Sequence, residues 1–397
     1  MKNVRLLLIF LVLLVLAGSS FASVNLSGVY GEGFSSAMGR TSNGISAGYQ
    51  KVGTTETVVL SWRPNFKWGA WGLGMDFNAP IGNERPEGFE SIVFRYAEYD
   101  DGDKGVRYGI LENVTLGHGL LMDNYTTYRS SSIVPDNNDM GLKGYYKHDI
   151  YKASFMSTWS HVYAVEVSEQ VYPWLVLGQY YVSDADGVTI TENSGLQREY
   201  PSQSGIGGYA LMPLWGGING YVEAAKIFRY GKGYSAGIDW MQNLIVMDAA
   251  FNAEYRVLEK NFIPGYFGPE YETNPVNIAS AAATSVNKNG YLIQFATRSM
   301  DLLNLNAIYE DYDSTDPSLF AEGTVKASDK VYVSAYFDQP NFASLRSVSL
   351  EDGAIIGGTL SYMYNPFTVI KTHYRKSYDA ALGRVVETQY YEIELIF

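Results

Sequence analysis

The chain ends with the stretch Tyr390-Tyr391-Glu392-Ile393-Glu394-Leu395-Ile396-Phe397. Apolar and charged residues alternate along this stretch, which predicts an extended β-strand with two different faces. One face carries only large apolar side chains, namely Tyr391, Ile393, Leu395 and Phe397. The opposite face carries Glu392 and Glu394. Such a strand fits a sheet that has an apolar environment on one side and water on the other.

The same alternation recurs upstream of the last strand. In the clearest segment, residues 245–257, the odd positions are all apolar, and the even positions include Asp248, Asn252, Glu254 and Arg256. Residues 71–77, 92–97, 303–310 and 331–338 alternate in the same way. Turns rich in Gly, Asn and Asp separate the segments, at 100–105, 184–187, 287–290 and 351–353. Alternating strands joined by short turns predict an antiparallel series of hairpins.

Two features distinguish a membrane barrel from a soluble β-sandwich, which would alternate in the same way. Aromatic pairs such as Trp68 and Trp71 or Tyr180 and Tyr181 lie near segment ends, as expected for the aromatic girdles of a lipid-facing band. Charges also occur in the middle of strands, where the core of a sandwich would tolerate them only in pairs. A water-filled lumen accepts such charges, so these features favour the membrane.

The last strand resembles that of bacterial outer-membrane β-barrel proteins, which typically alternates and ends in Phe. The resemblance implies an all-β, transmembrane, antiparallel up-and-down β-barrel in the outer membrane, in contact with its lipid. It also implies that the barrel assembly machinery reads Tyr391, Ile393, Leu395 and Phe397. The Pro-Glu-Phe-Gly-Gly constriction motif of enterobacterial general porins is absent, so the chain does not fit that subfamily.

The length of the chain limits the number of strands. At about 20 residues for a strand and its connection, the barrel has about 18 strands, with roughly 16 to 20 as the predicted range. Stretches without alternation, at 114–138, 184–204, 259–289 and 339–352, are predicted to be external loops. The first contains Gly117-His118-Gly119-Leu120-Leu121 and is unusually apolar, so we expect it to fold into the barrel and narrow it.

The amino terminus has the layout of a secretory signal peptide. Lys2 and Arg5 precede an apolar run, and Ser20-Phe21-Ala22 resembles a cleavage site. We therefore predict a signal peptide at 1–22 and the barrel at 23–397. Removal of 22 residues, two of them basic and none acidic, leaves 375 residues with a formal net charge of −15. This charge argues against a nucleic-acid partner.

Composition and motifs argue against an enzyme. The 397 residues include no Cys, which excludes thiol catalysis and Cys-ligated metals. His118, His148, His161 and His373 lack metal-site spacing, and no nucleophile elbow or nucleotide-binding motif is present. A hydrolase pairing His118 with Asp123, or His161 with Ser160, is the weaker alternative. Acidic turns at 100–103, 136–139, 184–186 and 311–316 are more simply solvated turns than Ca²⁺ sites, and no cofactor is predicted.

The predicted function is that of a porin, which passes small hydrophilic solutes and ions by passive diffusion with a weak cation preference. The alternative is a barrel that anchors the envelope or binds a ligand. Smooth glycine-rich faces, and the likeness to porins, suggest a homotrimer. We predict that charged residues on inward strand faces line the pore, namely Arg95, Arg107, Asp248, Glu254, Arg256, Arg298, Glu310, Lys371, His373 and Arg375.

Overall fold

A computed structural model of the chain describes residues 44–52, 55–81, 92–127, 140–191, 197–243, 246–269, 271–272, 276–278, 286–299, 302–339, 341–342, 354–379 and 384–396. The predicted signal peptide at 1–22 and the terminal Phe397 lie outside these residues. Within the described residues, no helix is long and apolar enough to cross a membrane.

Almost all regular structure is antiparallel β-strand. The strands are β1 (Gly44–Val52), β2 (Thr55–Arg63), β3 (Asn65–Trp68), β4 (Trp71–Ile81), β5 (Ile92–Asp100), β6 (Lys104–Gly109), β7 (Gly141–His148), β8 (Tyr151–Thr158), β9 (Val162–Tyr172), β10 (Leu175–Asp184), β11 (Val188–Thr191), β12 (Gln197–Tyr200), β13 (Ser204–Trp215), β14 (Ile218–Ile227), β15 (Lys232–Asn243), β16 (Asp248–Leu258), β17 (Lys288–Ser299), β18 (Leu303–Tyr312), β19 (Ser318–Ser328), β20 (Val331–Gln339), β21 (Ile355–Asn365), β22 (Thr368–Asp379) and β23 (Arg384–Ile396).

The strands form one closed barrel and one small hairpin. All except β11 and β12 belong to a single sheet of 21 strands, in which successive strands of the sheet pair with one another, apart from β2 and β3. The last strand pairs with the first, from Gly44 opposite Ile396 to Val52 opposite Thr388, and this pairing closes the barrel. The predicted all-β, antiparallel up-and-down barrel is therefore confirmed. A closed sheet has no unpaired edge.

Two of the 21 strands are halves of one span. Both β2 and β3 pair with β4, and only Pro64 separates them. Proline has no amide hydrogen to give to the sheet, so the ladder is interrupted at this residue. Counted as spans, the described residues contribute 20, an even number at the upper end of the predicted range.

The two surfaces of the barrel differ as the alternation predicts. On β16, Tyr255 and Val257 are exposed, whereas Asn252, Glu254 and Arg256 are buried. On β23, the apolar face is exposed, with Tyr391 at 46%, Ile393 at 52% and Leu395 at 44%, while the two glutamates between them are buried. The outer surface is thus apolar, and the inner surface is polar and charged, as a barrel in a bilayer requires.

The two ends of the barrel also differ. One end carries short turns, such as the two-residue turns after β3, β7 and β13, and the carboxyl terminus lies there. The other end carries the long connections after β6, β10, β16 and β20, which correspond to the four predicted loops. Exposed aromatics ring the short-turn end, namely Trp68, Trp71, Tyr146, Tyr151, Tyr172, Trp174, Trp215, Tyr364 and Phe367. A second ring at the long-loop end includes Trp159, Tyr163, Tyr181, Phe228, Tyr234, Tyr255 and Tyr291.

Candidate functional site: the lumen and its inward loop

The connection after β6 folds back into the barrel as a short hairpin, which we call the inward loop (residues 110–127). Val114 bridges to Tyr125, and the amide of Leu116 donates to the carbonyl of Met122 at 3.1 Å. Leu111, Leu120, Leu121, Met122 and Tyr125 are each at most 1% exposed. The expected folding of 114–138 into the barrel is therefore observed for its described part, 114–127.

The tip of the inward loop is fixed to the opposite wall by two carboxylates. The amide of Gly117 donates to Glu166 Oε1 of β9 at 3.3 Å, and the amide of His118 donates to Glu223 Oε2 of β14 at 2.9 Å. Gly117 has a positive φ of 58°, and a Cβ placed on it would lie 2.7 Å from Glu223 Oε1. Only glycine allows this approach of the backbone to the wall.

The side chain of His118 packs on the aromatic rings of the wall. It stacks on Tyr221 with ring centroids 3.7 Å apart and an angle of 4° between the planes. Its Nδ1 lies 3.9 Å from Asp239 Oδ2. Burial lowers the pKa of His118 to about 4, so the imidazole is neutral at neutral pH.

A second segment, residues 262–278 in the connection after β16, packs on the inward loop. Met122 bridges to Phe267 in the parallel sense, the amide of Phe267 donates to the carbonyl of Leu121 at 3.1 Å, and that of Gly265 donates to Leu120 at 3.0 Å. The hydroxyl of Tyr125 is bonded to Glu272. These contacts join the two segments into one unit.

This unit, which we call the plug, fills part of the long-loop end of the barrel with an apolar core. Phe262, Phe267, Tyr271 and Ile278 belong to the same buried cluster as the apolar residues of the inward loop. The wall contributes Met156, Val162, Ala164, Tyr180, Val182, Ala225, Ile227 and Leu258, all on β8 to β16. The plug is therefore held to one side of the lumen.

Polar bonds at the edge of the plug add to its apolar contacts. The hydroxyl of Tyr271 donates to Asp184 Oδ2 at 2.6 Å, and Thr115 Oγ1 donates to Asp123 Oδ1 at 3.2 Å. Burial raises the pKa of Asp123 to about 6, and burial beside Asp184 raises the pKa of Tyr271. Hydrogen bonds of buried polar groups offset the cost of removing them from water.

A cavity of about 590 Å³ lies between the inward loop and the short-turn end of the barrel. The inward loop lines one side through residues 113–118 and 123–124. Strands β5 to β9 line a second side, and β13 to β17 contribute Tyr209, Asn219, Asp239, Asn252 and Gln294. The cavity is thus bounded by the barrel wall and the underside of the inward loop.

One wall of the cavity is basic. It carries Arg107 on β6, Lys143 and Lys147 on β7, and Lys152 on β8. Arg107 Nη1 pairs with Glu98 Oε2 at 3.3 Å, and its guanidinium lies 4.3 Å from the centre of the Tyr96 ring. Lys143 Nζ donates to the carbonyl of Glu112 at 3.4 Å, and Lys147 Nζ donates to that of Gly102 at 3.3 Å.

The adjoining wall, from β9 to β16, carries carboxylates and tyrosines. Glu166 Oε1 accepts a hydrogen bond from Tyr209 at 2.9 Å in addition to the bond from the loop. Asp239 Oδ1 accepts from Asn219 at 2.6 Å. Glu223 is bonded to Tyr180, and Glu254 Oε2 accepts from Tyr221 at 2.8 Å.

Several predicted pore-lining residues form one ion network. Arg256 pairs with Glu254, and its Nη1 lies 3.1 Å from Glu310 Oε1 and 3.0 Å from the hydroxyl of Tyr312. Arg256 and Glu254 are buried, at 3% and 4%. Two acids and one cation leave this network with excess negative charge.

The predicted basic face of β22 lies against the acids of β23. Lys371 Nζ is 2.5 Å from Glu394 Oε2, and His373 Nε2 is 3.6 Å from Glu392 Oε2. Arg375, two residues further on, is exposed. Of the two permanently charged residues of this face, Lys371 is therefore paired with an acid and Arg375 is exposed.

The other predicted pore-lining residues lie elsewhere on the wall. Asp248 and Arg298 are 3.4 Å apart near the short-turn end, and both are partly exposed. Arg95 Nη2 donates to the carbonyl of Pro64 at 3.3 Å. Arg107 is the one predicted residue among those lining the cavity.

Most charged residues that line the cavity were not predicted from the sequence, namely Lys143, Lys147, Lys152, Glu166 and Asp239. Each lies on the inner face of a strand with alternating burial, such as β9, where Val162, Ala164 and Ser168 are buried and Tyr163, Val165 and Val167 are exposed. Alternation assigns such residues to the inner face. It gives no information on which inner residues face one another across the lumen.

The histidine pairs considered for a hydrolase are arranged differently in the structure. His118 approaches Asp239, whereas Asp123 accepts a bond from Thr115. His161 Nδ1 is 2.6 Å from Asp186 Oδ2, and the hydroxyl of Ser160 donates to Glu272 Oε1 at 2.6 Å. The serine proton is thus directed away from the imidazole.

Two of the predicted acidic turns, at 100–103 and 184–186, bind their own backbone, and the one predicted at 136–139 lies outside the described residues. Asp101 Oδ1 accepts from the amides of Asp103 and Lys104, and Asp184 Oδ1 accepts from Asp186 and Gly187. Turn-internal bonds of this kind are typical of solvated Asp-rich turns. Over the described ranges, no group of three or more His, Asp or Glu side chains is arranged to hold a metal ion.

Comparison with known proteins gives only structural likenesses, since no family model and no curated protein matches the chain. The chain is similar to Pseudomonas aeruginosa OccK5, with 8% identity, a TM-score of 0.43, and coverage of 88% of this chain and 95% of that one. It is also similar to P. aeruginosa OccK2, solved in complex with glucuronate (10% identity, TM-score 0.42, coverage 89% and 97%). A third is a BenF-like porin from Pseudomonas fluorescens Pf-5 (9%, 0.40, 89% and 97%). Because the identities and TM-scores are this low, the solutes of these proteins are not assigned to this chain.

Proposed function

We propose that the chain is an outer-membrane porin that passes small hydrophilic solutes and ions by passive diffusion. The observation that carries this proposal is the closed barrel with exposed apolar residues outside and charged residues inside. A barrel of this strand number is wide enough to leave an aqueous lumen. The plug narrows the lumen on one side and leaves the wall formed by β17 to β23 and β1 to β7 outside its apolar core.

The charges of the wall support a weak cation preference. The network around Arg256 contains two acids, and Lys371 faces Glu392 as well as Glu394. Acidic walls raise the local cation concentration, and salt screens this effect beyond about 8 Å at physiological ionic strength. The lysines of the cavity oppose it, so the preference is weak and decreases at high salt.

The proposal includes the location and assembly of the barrel. Export through a cleaved signal peptide at 1–22, recognition of the last strand by the barrel assembly machinery and assembly into a homotrimer are its further parts. The exposed apolar face of β23 and the two aromatic rings fit contact with outer-membrane lipid. A channel of this kind performs no covalent chemistry.

Single-channel recording of the pure protein in a planar bilayer tests the proposal. We expect stable open steps in KCl for the wild type and larger steps for Leu121→Asp. Leu121 is 0% exposed, and a charge at this position expels the inward loop from the apolar core of the plug. Val286→Asp, at a position 51% exposed in the same end of the barrel, is the control and keeps the steps unchanged. Absence of reproducible steps from the folded wild-type protein would refute the porin and favour an anchoring or ligand-binding barrel.

A further inference from the structure

Like charges lie directly opposite each other on the basic wall of the cavity. Arg107 on β6 is in register with Lys143 on β7, and Lys147 on β7 is in register with Lys152 on β8. Like charges in directly opposed positions destabilise a sheet. Arg107 has Glu98 as a partner, but within the described part of the chain no carboxylate lies within 4 Å of the three lysine amines. Glu98 and Asp100 line the same wall, so two carboxylates stand against four basic residues and the wall retains a net positive charge.

The wall from β9 to β16 retains uncompensated negative charge. Among the described residues, Glu166 accepts hydrogen bonds from neutral donors only, namely Gly117, Ser154 and Tyr209. Asp239, 4% exposed, accepts from the neutral amide of Asn219, and the imidazole near it is uncharged at neutral pH. Among the described residues, neither carboxylate has a lysine or arginine within 4 Å. Both line the same cavity as the lysines.

Positive and negative charges thus face one cavity without pairing across it. Lys152 is in register with Ser168, so Glu166 is its diagonal neighbour on β9. Diagonal neighbours in an antiparallel pair are about 7–8 Å apart, a separation that long side chains can span. In the described part of the chain the two side chains nevertheless form no ion pair, so both charges are left to a small molecule in the cavity.

We propose that this cavity binds small dipolar solutes that carry one carboxylate and one ammonium group. The carboxylate lies against Lys143, Lys147 and Lys152, and the ammonium lies against Glu166 and Asp239. A solute with a single charge pairs with the charges of one wall and removes water from the charges of the other wall without pairing with them, which costs free energy. This proposal rests on the proposed porin function, because it names the class of solute that the lumen selects.

Isothermal titration calorimetry of the detergent-solubilised barrel tests the binding directly. The probes are γ-aminobutyrate, butyrate and butylammonium, which share a four-carbon chain and differ in charge. We expect γ-aminobutyrate to bind at least about threefold more tightly than either singly charged probe, because it forms ion pairs at both ends and each exposed ion pair adds a modest free energy of binding.

Variants assign the two ends of the solute. The double variant Lys147→Met/Lys152→Met should weaken the binding of γ-aminobutyrate and of butyrate. Its binding of butylammonium should be unchanged or tighter. Asp239→Asn should weaken the binding of γ-aminobutyrate and of butylammonium and leave the binding of butyrate unchanged. The controls make the same charge changes outside the cavity, with Lys260→Met in the exposed segment after β16 and Asp329→Asn in the exposed turn after β19.

The outcomes separate this inference from the porin function. Equal or tighter binding of butyrate alone would overturn the inference in favour of a simple anion site, and no binding of any probe would overturn it as well. Either result is compatible with normal KCl conductance, which would leave the porin function standing. Selective binding of γ-aminobutyrate by a barrel without open-channel steps would support the dipolar site and refute passive diffusion through it.

Discussion

Replacement of Gly117 by alanine isolates the contribution of the inward loop to pore size. Gly117 and Gly69 have almost the same backbone conformation, with φ of 58° and 57°. Alanine in this left-handed region costs about 1–2 kcal/mol at either position. The surroundings differ, because a Cβ on Gly69 meets nothing within 4 Å, whereas one on Gly117 lies 2.7 Å from Glu223 Oε1 and 2.8 Å from Tyr180 Cε1. Gly69→Ala is therefore a matched control.

The contact of an added Cβ at Gly117 with Glu223 and Tyr180 should detach the tip of the inward loop from the wall. Glu223 and Tyr180 are hydrogen-bonded to each other, so neither side chain is free to retreat alone. The tip must move instead and loses its amide bonds to Glu166 and Glu223. A hydrogen bond to a charged group contributes about 1.5–3 kcal/mol. Loss of one such bond raises the population of the detached tip by about tenfold or more relative to the control.

Single-channel recording measures this population. For Gly117→Ala we expect larger steps, or frequent transitions to a larger conductance, while Gly69→Ala behaves like the wild type. Thermal unfolding of both variants, followed by circular dichroism, should show similar losses from backbone strain. If the two variants have identical conductance, the inward loop does not restrict the pore.

Three further predictions concern pH, stability and selectivity. Burial lowers the pKa of His118 from 6.5 to about 4, so the neutral imidazole favours docking of the inward loop fully above pH 6.5, and this stabilisation is lost as the pH falls towards 4. Conductance should therefore rise between pH 6.5 and 4, and His118→Gln should reduce that rise. An unchanged rise in the variant would contradict the role of His118 in docking. Lys371→Met removes the cation that pairs with the buried Glu394 and should lower the free energy of urea unfolding by about 3–5 kcal/mol. Solvent screens the exposed Lys376–Glu387 pair, so Lys376→Met is the control and should change this free energy little. Arg375→Glu should increase cation preference in reversal potentials under a KCl gradient, because Arg375 is exposed on the inner face of β22; a shift towards anions would place this residue outside the ion path.

The alternation along single strands was sufficient to predict the barrel and the two faces of its strands. Residues 251–257 and 391–395 have the burial that their sequence pattern predicts, because a β-strand places neighbouring side chains on opposite sides of the sheet whatever its partners are. The number of spans was predicted only as a range. Pro64 divides one span into two short strands, and pairing with β4 is what identifies the halves as one.

The candidate site could be predicted only in part, because its residues are brought together by pairing and by loop folding. The apolar sequence 117–121 correctly indicated an inward loop, but its contacts with Glu166, Glu223 and Phe267 join residues that are far apart in the chain. Likewise, Lys371 was assigned to a basic face, and strand register places it against Glu394.

Local periodicity therefore specified the fold class and the inner and outer face of each strand, since both depend only on the geometry of an extended chain. Tertiary structure alone decided which inner charges neutralise one another and which remain unpaired in the cavity. These relations depend on strand register, on closure of β1 against β23 and on the position of the plug. Coulomb energies vary with distances across the lumen, and those distances are not encoded in the spacing of residues along a strand.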